Sequence, residues 1–427
     1  MTAPADVGPE ADWQERLLRK GKGKLDAVAA NAITILRNTD EWRGVIAYDA
    51  FRGDVTSTKP PPWHPDDAPT EPKAGPWSGA DITRLQSWLR RKWSLTLSGD
   101  AVKAALLVVA EANTINPVAD WLDGLAWDAT ARVDTWLSTY LGAEDSDYTR
   151  SVGRWFLISA VARAFDPGCK VDTVPVLEGA QGLRKSQAVK ALFAPWASDT
   201  PIELDSKDRF VVLRGVWGYE IAEFDGYSKH DATTLKAFTS SPSDNYRAPF
   251  AATNADHPRR CVFVATVNPG RDYLVDETGG RRWWPVRVGV TGPIQVEALR
   301  AARDAIWAEA RELYLSHRVH VASGSAEVSP YRWWPETGEE HALVGAEQAD
   351  RQSRDAWDGP VASWLALKPD GASVALGDVL EHLGLERGKW DPASQQRAGR
   401  CLRVAGWVKK RARVGDGLGY VYQRVRA

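Results

Sequence analysis

The sequence predicts an α/β protein in which a P-loop core follows an α-helical region and precedes a C-terminal winged-helix-like domain. Three observations lead there. An apolar run (Val174, Val176, Leu177) feeds a glycine-containing turn and then a helical stretch opening Lys185-Ser186, the layout of a phosphate-binding loop. Short apolar runs alternate with helical or polar stretches over residues 170–290, as an α/β core requires. Two helical stretches and a glycine-centred hairpin pattern close the chain.

Composition sets the bounds. A chain of 427 residues exceeds one ordinary core, so two or three domains are expected. Hydrophobic content of 44% with 26% charged residues is that of a soluble globular protein. A formal net charge of −2 makes no global case for nucleic acid, so any such case is local. Residues 1–20 carry acids and lack the apolar stretch of a signal peptide. No run of about 18 apolar residues is present, so no membrane span is expected. Cys169, Cys261 and Cys401 are scattered without metal-ligand spacing, which fits a reducing cytoplasm. The 21 tryptophans read as large core anchors.

In chain order, residues 1–25 are a polar, basic arm. Helical spacing follows over Leu25–Leu36, then a strand or hairpin over Trp42–Phe51. Seven prolines between Pro60 and Pro76 mark a linker, so residues 1–77 are set apart as an N-terminal region. Residues 78–168 read as a helical domain: Asp81 capping Ile82–Trp93, then Ala101–Ala112, Ala131–Leu141 and Tyr148–Ala164. The P-loop core covers 169–320, with strands at Thr173–Leu177, Trp217–Ile221, Val262–Thr266 and Trp283–Val288, and a helix over 295–317. Residues 321–355 read as a second linker with irregular helix, and 356–427 as the last domain.

The chemistry is concentrated in the core. Gly179, Gln181, Gly182 and Arg184 form the phosphate cradle, whose backbone N–H groups would face phosphate oxygens. Lys185 would neutralise the terminal phosphates and Ser186 would ligate Mg2+. Arg184 stands where the motif has its last glycine. The apolar strand ending in Glu220 and Glu223 supplies carboxylates for the metal shell and for polarising water, with Glu220 favoured and Glu223 in reserve. The run Cys261–Asn268 is a doubly buried strand ending in Asn268, a candidate to orient the attacking water. Arg281 and Arg282 are candidates for an arginine finger offered to a neighbouring subunit. Between these stations, Lys236, Tyr246 and Arg247 lie in a stretch with a helical start and a turn-rich middle, and a β-hairpin loop carrying a cation and an aromatic can track single-stranded DNA.

The segments Glu178-Gly-Ala-Gln-Gly-Leu-Arg-Lys-Ser186, Glu220-Ile-Ala-Glu-Phe224, Leu235–Ser240, Asp244–Pro249, Arg260–Asn268 and Gly279-Gly-Arg-Arg-Trp-Trp-Pro285 occur in the order seen in one family. Together with Trp127-Asp128, Arg132, Pro167–Lys170 and Ile306–Ala310, they resemble the virulence-associated E (VirE/VapE-type) family over about residues 110–317. That family looks like a branch of the superfamily 3 helicases, AAA+-like P-loop ATPases of phages and mobile elements. The resemblance implies ATP-driven DNA unwinding in replication, in a bacterial host cytoplasm, with ATP and Mg2+ as cofactors. Lys185 and Ser186 would take the Walker A roles, Glu220 Walker B and Asn268 the sensor. Lys236 and Arg247 would face DNA, and Arg281 or Arg282 would be the finger. A finger acting between subunits implies a ring, a hexamer by analogy; a primase or other replication protein is the implied partner. Gln187 also departs from the usual pattern, where Thr is frequent.

From Ser394 onward nine Lys and Arg residues, Lys409, Lys410 and Arg411 among them, face one acid, Asp416. That imbalance is an electrostatic footprint for single- or double-stranded DNA. The sequence therefore reads as an ATP-dependent DNA helicase or translocase. The alternative is a non-catalytic DNA-binding regulator whose P-loop Arg184 has disabled. A small-molecule kinase would explain neither the paired arginines nor the basic C-terminal domain.

Overall fold

The computed structural model describes residues 13–224, 229–247, 253–268, 280–349, 357–369, 371–414 and 417–424. The chain forms two compact units, within residues 13–349 and 357–424.

The first unit opens with α1 (Ala29–Asn38), the hairpin β1 (Ile46–Asp49) and β2 (Asp54–Ser57), then β3 (Gly75–Pro76), α2 (Gly79–Trp93), α3 (Gly99–Glu111) and β4 (Thr114–Ile115). The strands make one sheet in the order β3-β2-β1-β4. The proline-rich stretch is no boundary. Trp63 and Trp77 pack against Trp42 at 5.6 and 6.2 Å between ring centroids, and Trp88 meets Trp42 from α2 at 5.5 Å. Indole burial holds the prolines onto this layer, so it runs on through α3 to residue 115. The expected break at residue 77 is corrected accordingly. So is the cap of α2: Ser78 is the N-cap, and Asp81 completes a capping box with it.

The helices α4 (Pro117–Asp123), α5 (Trp136–Leu141) and α6 (Asp147–Phe165) belong instead to the core that follows. That core comprises β5 (Val174–Glu178), α7 (Lys185–Phe193), β6 (Ala197–Ser198), β7 (Gly218–Ile221), α8 (Lys229–Ser240), β8 (Ser243–Tyr246), β9 (Ala255–Pro258), β10 (Val262–Val267), β11 (Trp283–Arg287), α9 (Val296–Ala322) and α10 (Gly338–Ala349). Five strands form a parallel sheet ordered β11-β5-β10-β7-β6. Its inner strands β5, β7 and β10 are buried along their whole length, which is why they read as continuous apolar runs.

Tryptophans fasten the helices to this sheet. Trp217 and Trp307 lie 4.2 Å apart, and their indoles donate to Ala160 O and Leu192 O at 2.7 and 2.9 Å. The Glu309 carboxylate on α9 accepts the N–H groups of Arg132 and Val133 at 2.5 and 2.9 Å, so two distant segments of the sequence are joined by one buried acid. Desolvation raises the Glu309 pKa.

β8 and β9 pair as the expected hairpin. A buried Arg259–Asp244 ion pair closes its base. Arg163 of α6 donates to Arg259 O and to Val171 O at 3.1 and 3.2 Å, tying that base to the chain entering β5. The segment 321–355 is not wholly a linker, since α10 buries Val344 and its Gln348 donates to Trp283 O at 2.8 Å.

The second unit contains α11 (Asp358–Ala366), β12 (Ser373–Val374), α12 (Leu376–His382), α13 (Pro392–Val404), β13 (Trp407–Val414) and β14 (Gly417–Arg424). The strands form an antiparallel sheet ordered β12-β14-β13 around a small core of Val361, Leu380, Leu402 and Trp407. The first of the two helical stretches expected near the end of the chain, α12, is preceded by the short strand β12. Among the described residues no helix is long and apolar enough to cross a membrane.

Gly218 shows how closely the core is packed: a Cβ there would come within 2.1–2.6 Å of the Phe193 ring, itself wedged against Trp217 and Trp307. Gly218→Ala is expected to destabilise the protein by about 1–3 kcal/mol, read as a lower midpoint in urea denaturation with unchanged slope.

Candidate functional site

β5 ends at Glu178, and the chain turns at once into the loop that starts α7. Gly179 is required there by close approach, because a Cβ would meet Leu183 Cδ1 at 2.9 Å and Val288 O at 3.1 Å. Gln181 and Gly182 form the exposed crest, with Gly182 at φ +83°. Arg184 is the N-cap of α7 and adopts φ +67°, ψ +26°, a left-handed conformation. This is the physical reason the motif normally places glycine at that position. The guanidinium is turned outward: Nε donates to Gln187 Oε1 at 2.6 Å and Nη2 reaches Glu297 Oε1 at 3.3 Å. The first N–H groups of α7 lack intrahelical partners and face the loop, the usual setting for an anion.

Lys185 folds back over the loop, its Nζ donating to Gly179 O at 2.6 Å and to Ala180 O at 3.0 Å. Ser186 Oγ donates to Glu220 Oε1 at 2.6 Å, and Thr266 Oγ1 donates to the same oxygen at 2.8 Å. Glu220 is 2% exposed, and its other oxygen, Oε2, is inaccessible and has no hydrogen-bond partner among the described residues. Ser186 and Glu220, 34 residues apart in sequence, are thus in direct contact.

The donor set fits Mg2+. No cluster of three His, Cys, Asp or Glu side chains exists among the described residues. A hydroxyl, one carboxylate with a free buried oxygen, water and phosphate are the ligands that ion accepts. Ser186 and Glu220 are the residues that would hold it.

Glu223 is exposed at φ +51° and shares with Glu220, Asp199 and Leu235 the wall of a cleft of about 370 Å3. Asn268 is exposed immediately after β10, one residue beyond the Val267–Glu178 pairing, on the same carboxyl edge of the sheet. Arg281 and Arg282 lie elsewhere. They precede Trp283, which pairs with Val174, so they sit at the amino edge, about 13 Å of strand from their own loop.

Of the three residues expected to track DNA from the hairpin, Arg247 alone is exposed. Lys236 is 5% exposed; burial, and then the charge of Arg282, hold its pKa below the usual lysine range. Tyr246 is buried with its ring stacked 4.0 Å from His257. Both are corrected to interior residues, since a DNA contact must be presented to solvent. Lys409, Lys410 and Arg411 are exposed on β13, with the Lys409 ammonium 4.1 Å above the Tyr420 ring.

Thr266 is the site residue that sequence reasoning missed. Its role comes from register: Val264 pairs with Glu220, and alternation puts Thr266 on the same face two residues on.

Comparison with known proteins gives a coherent answer on family. Among solved structures, the apo structure of the NrS-1 C-terminal region matches at 10% identity and a TM-score of 0.43, covering 89% of this chain and 96% of that one. Its A form gives 8% identity and a TM-score of 0.42 over the same shares. Likeness at that level establishes no shared fold. No curated protein matches the chain. The sequence model of the virulence-associated protein E-like domain matches residues 122–353, more than half of the chain and all of the five-stranded parallel sheet. The chain belongs to the virulence-associated protein E-like family.

Proposed function

We propose that this chain is an ATP-dependent DNA helicase or translocase acting in the replication of a phage or mobile element. The observation that carries the reading is the 2.6 Å hydrogen bond between Ser186 and Glu220, which joins a P-loop hydroxyl to a strand-end carboxylate. A P-loop used only as a scaffold gives no reason to bury a half-satisfied carboxylate beside it. The outward turn of Arg184 also supports an open phosphate cradle.

In this reading Lys185 exchanges loop carbonyls for the oxygens of the terminal phosphates. Ser186 and Glu220 would hold Mg2+, which would supply neutralisation of the phosphate charge. Glu220 holds the cation side, while Glu223 or Glu220 polarises the attacking water with Asn268 fixing its direction. Arg281 or Arg282, remote from its own loop, acts on a neighbouring subunit; this supports a ring, by analogy a hexamer, working with a primase or other replication protein. The parallel order with β5 between β11 and β10 supports an AAA+-like core, with ligands at the carboxyl edge. The second unit, helix, strand, two helices and a two-stranded wing, supports a winged helix that grips DNA through Lys409, Lys410 and Arg411.

Lys185→Ala and Glu220→Gln are each expected to lower DNA-stimulated ATP turnover by about 100-fold or more, with the melting profile retained. A wild-type chain that turns over no ATP, with or without single-stranded DNA, would sink the enzyme reading and leave the DNA-binding regulator. Arg184→Gly is expected to leave nucleotide affinity unchanged and to raise stability by about 0.5–1 kcal/mol as left-handed strain is relieved, checked by calorimetry. Replacing Lys409, Lys410 and Arg411 by Ala is expected to flatten the log–log salt dependence of DNA affinity by about 1 per cation, measured by anisotropy at several salt concentrations.

A further inference from the structure

At the amino edge of the parallel sheet, opposite the P-loop, lies a cavity of about 450 Å3. Its lining includes Lys170, Asp172, Arg281, Arg282, Trp333 and Trp334. The volume is that of a small-molecule site. Of this lining the proposed ATP chemistry calls only on the finger, Arg281 or Arg282, and leaves the cavity itself unused.

Two indoles form a preset wall. Trp333 and Trp334 stand at 88° with ring centroids 5.1 Å apart. Trp333 donates its Nε1–H to Lys170 O at 2.9 Å, and Trp334 donates to Glu336 Oε2 at 3.0 Å. His317 packs on both, at 5.2 and 5.8 Å. With their polar handles engaged and their backs packed, the rings keep their orientation, yet Trp334 remains 38% exposed.

The charged part of the lining is mainly cationic, set among uncharged residues such as Thr173, Val344 and Gln348. Three cations, Lys170, Arg281 and Arg282, face one carboxylate, Asp172, whose distance of 3.9 Å from Lys170 makes a loose pair. Arg282 Nε is inaccessible and has no hydrogen-bond partner among the described residues. A purely apolar ligand would leave those cations uncompensated. A bare anion would leave two oriented indoles without a purpose. A flat ring joined to an anionic group satisfies both halves of the lining, through stacking and charge-assisted hydrogen bonds.

We propose that this cavity binds a nucleoside phosphate unit, the base against Trp334 and the phosphate toward Arg282 and Lys170. The unit is either a free nucleotide or one residue of a single DNA strand, and the two share this chemistry. Only the strand alternative rests on the reading that the chain handles DNA; the cavity itself is separate from the P-loop.

The test uses the full chain carrying Lys185→Ala, so that the P-loop is silenced. Thymidine monophosphate, an oligothymidylate of about ten residues and inorganic phosphate are titrated in separate calorimetric experiments. Binding of thymidine monophosphate or of the oligonucleotide is expected, weakened about tenfold or more by Trp334→Ala or Lys170→Glu and largely kept in Trp334→Phe. Saturation by the mononucleotide assigns a free-nucleotide site, and saturation by the oligonucleotide alone assigns a strand site; either upholds the proposal. Inorganic phosphate binding as tightly as the mononucleotide, affinity indifferent to Trp334→Phe, Trp334→Ala and Lys170→Glu, or no binding of any probe overturns it. Because the readout is binding in a chain that cannot use its P-loop, absence of ATP turnover in the wild type would leave this result standing.

Discussion

One carboxylate oxygen, Glu220 Oε1, receives hydrogen bonds from two hydroxyls that arrive on separate strands of the sequence, Ser186 and Thr266. Burying an ionisable group to 2% exposure is costly, and the two hydroxyls on Oε1 offset part of that cost. These bonds hold the start of α7 and the carboxyl ends of β7 and β10 together, beside the loop between β5 and α7. Parallel registers alone would align the strands, as Val264 with Glu220 and Ala265 with Val176 show. The hydroxyls add something registers cannot: a fixed direction for a charged side chain inside an otherwise apolar sheet. The remaining oxygen, Oε2, is left with acceptor capacity to spare.

Much of this was legible in the sequence, for a definite reason. Strands buried on both faces must be apolar throughout, so all four long core strands announced themselves to within one residue of their observed ends. The loop motif then placed Lys185 and Ser186, and the run ending in Glu220 placed its partner. Thr266 was harder to see, because its role comes from registration with a neighbouring strand rather than from any local pattern. Lys236 and Tyr246 misled for the opposite reason. Their residue types suit DNA, but burial is decided by tertiary packing such as the stacking of Tyr246 on His257 across the hairpin, which composition does not reveal.

The proline-rich stretch gives the clearest case of tertiary contacts overriding local composition. Proline limits backbone freedom but says nothing about docking, whereas Trp63 and Trp77 each present a large ring to Trp42. The same residue type fastens Trp217 and Trp307 between sheet and helices, with both indole N–H groups satisfied by helix carbonyls. Abundant tryptophan was therefore a sign of anchoring in both layers, although composition could not say which elements would be anchored.

The base of the β8–β9 hairpin has a mechanical meaning. Its Arg259–Asp244 pair is sealed from solvent, and Arg163 clamps the adjoining backbone to the segment that leads into β5. Opening a pair buried this deeply costs about 3–5 kcal/mol, so the hairpin is hinged to the sheet stiffly rather than hung from a slack tether. A displacement at the hairpin base is therefore shared with the chain that enters β5.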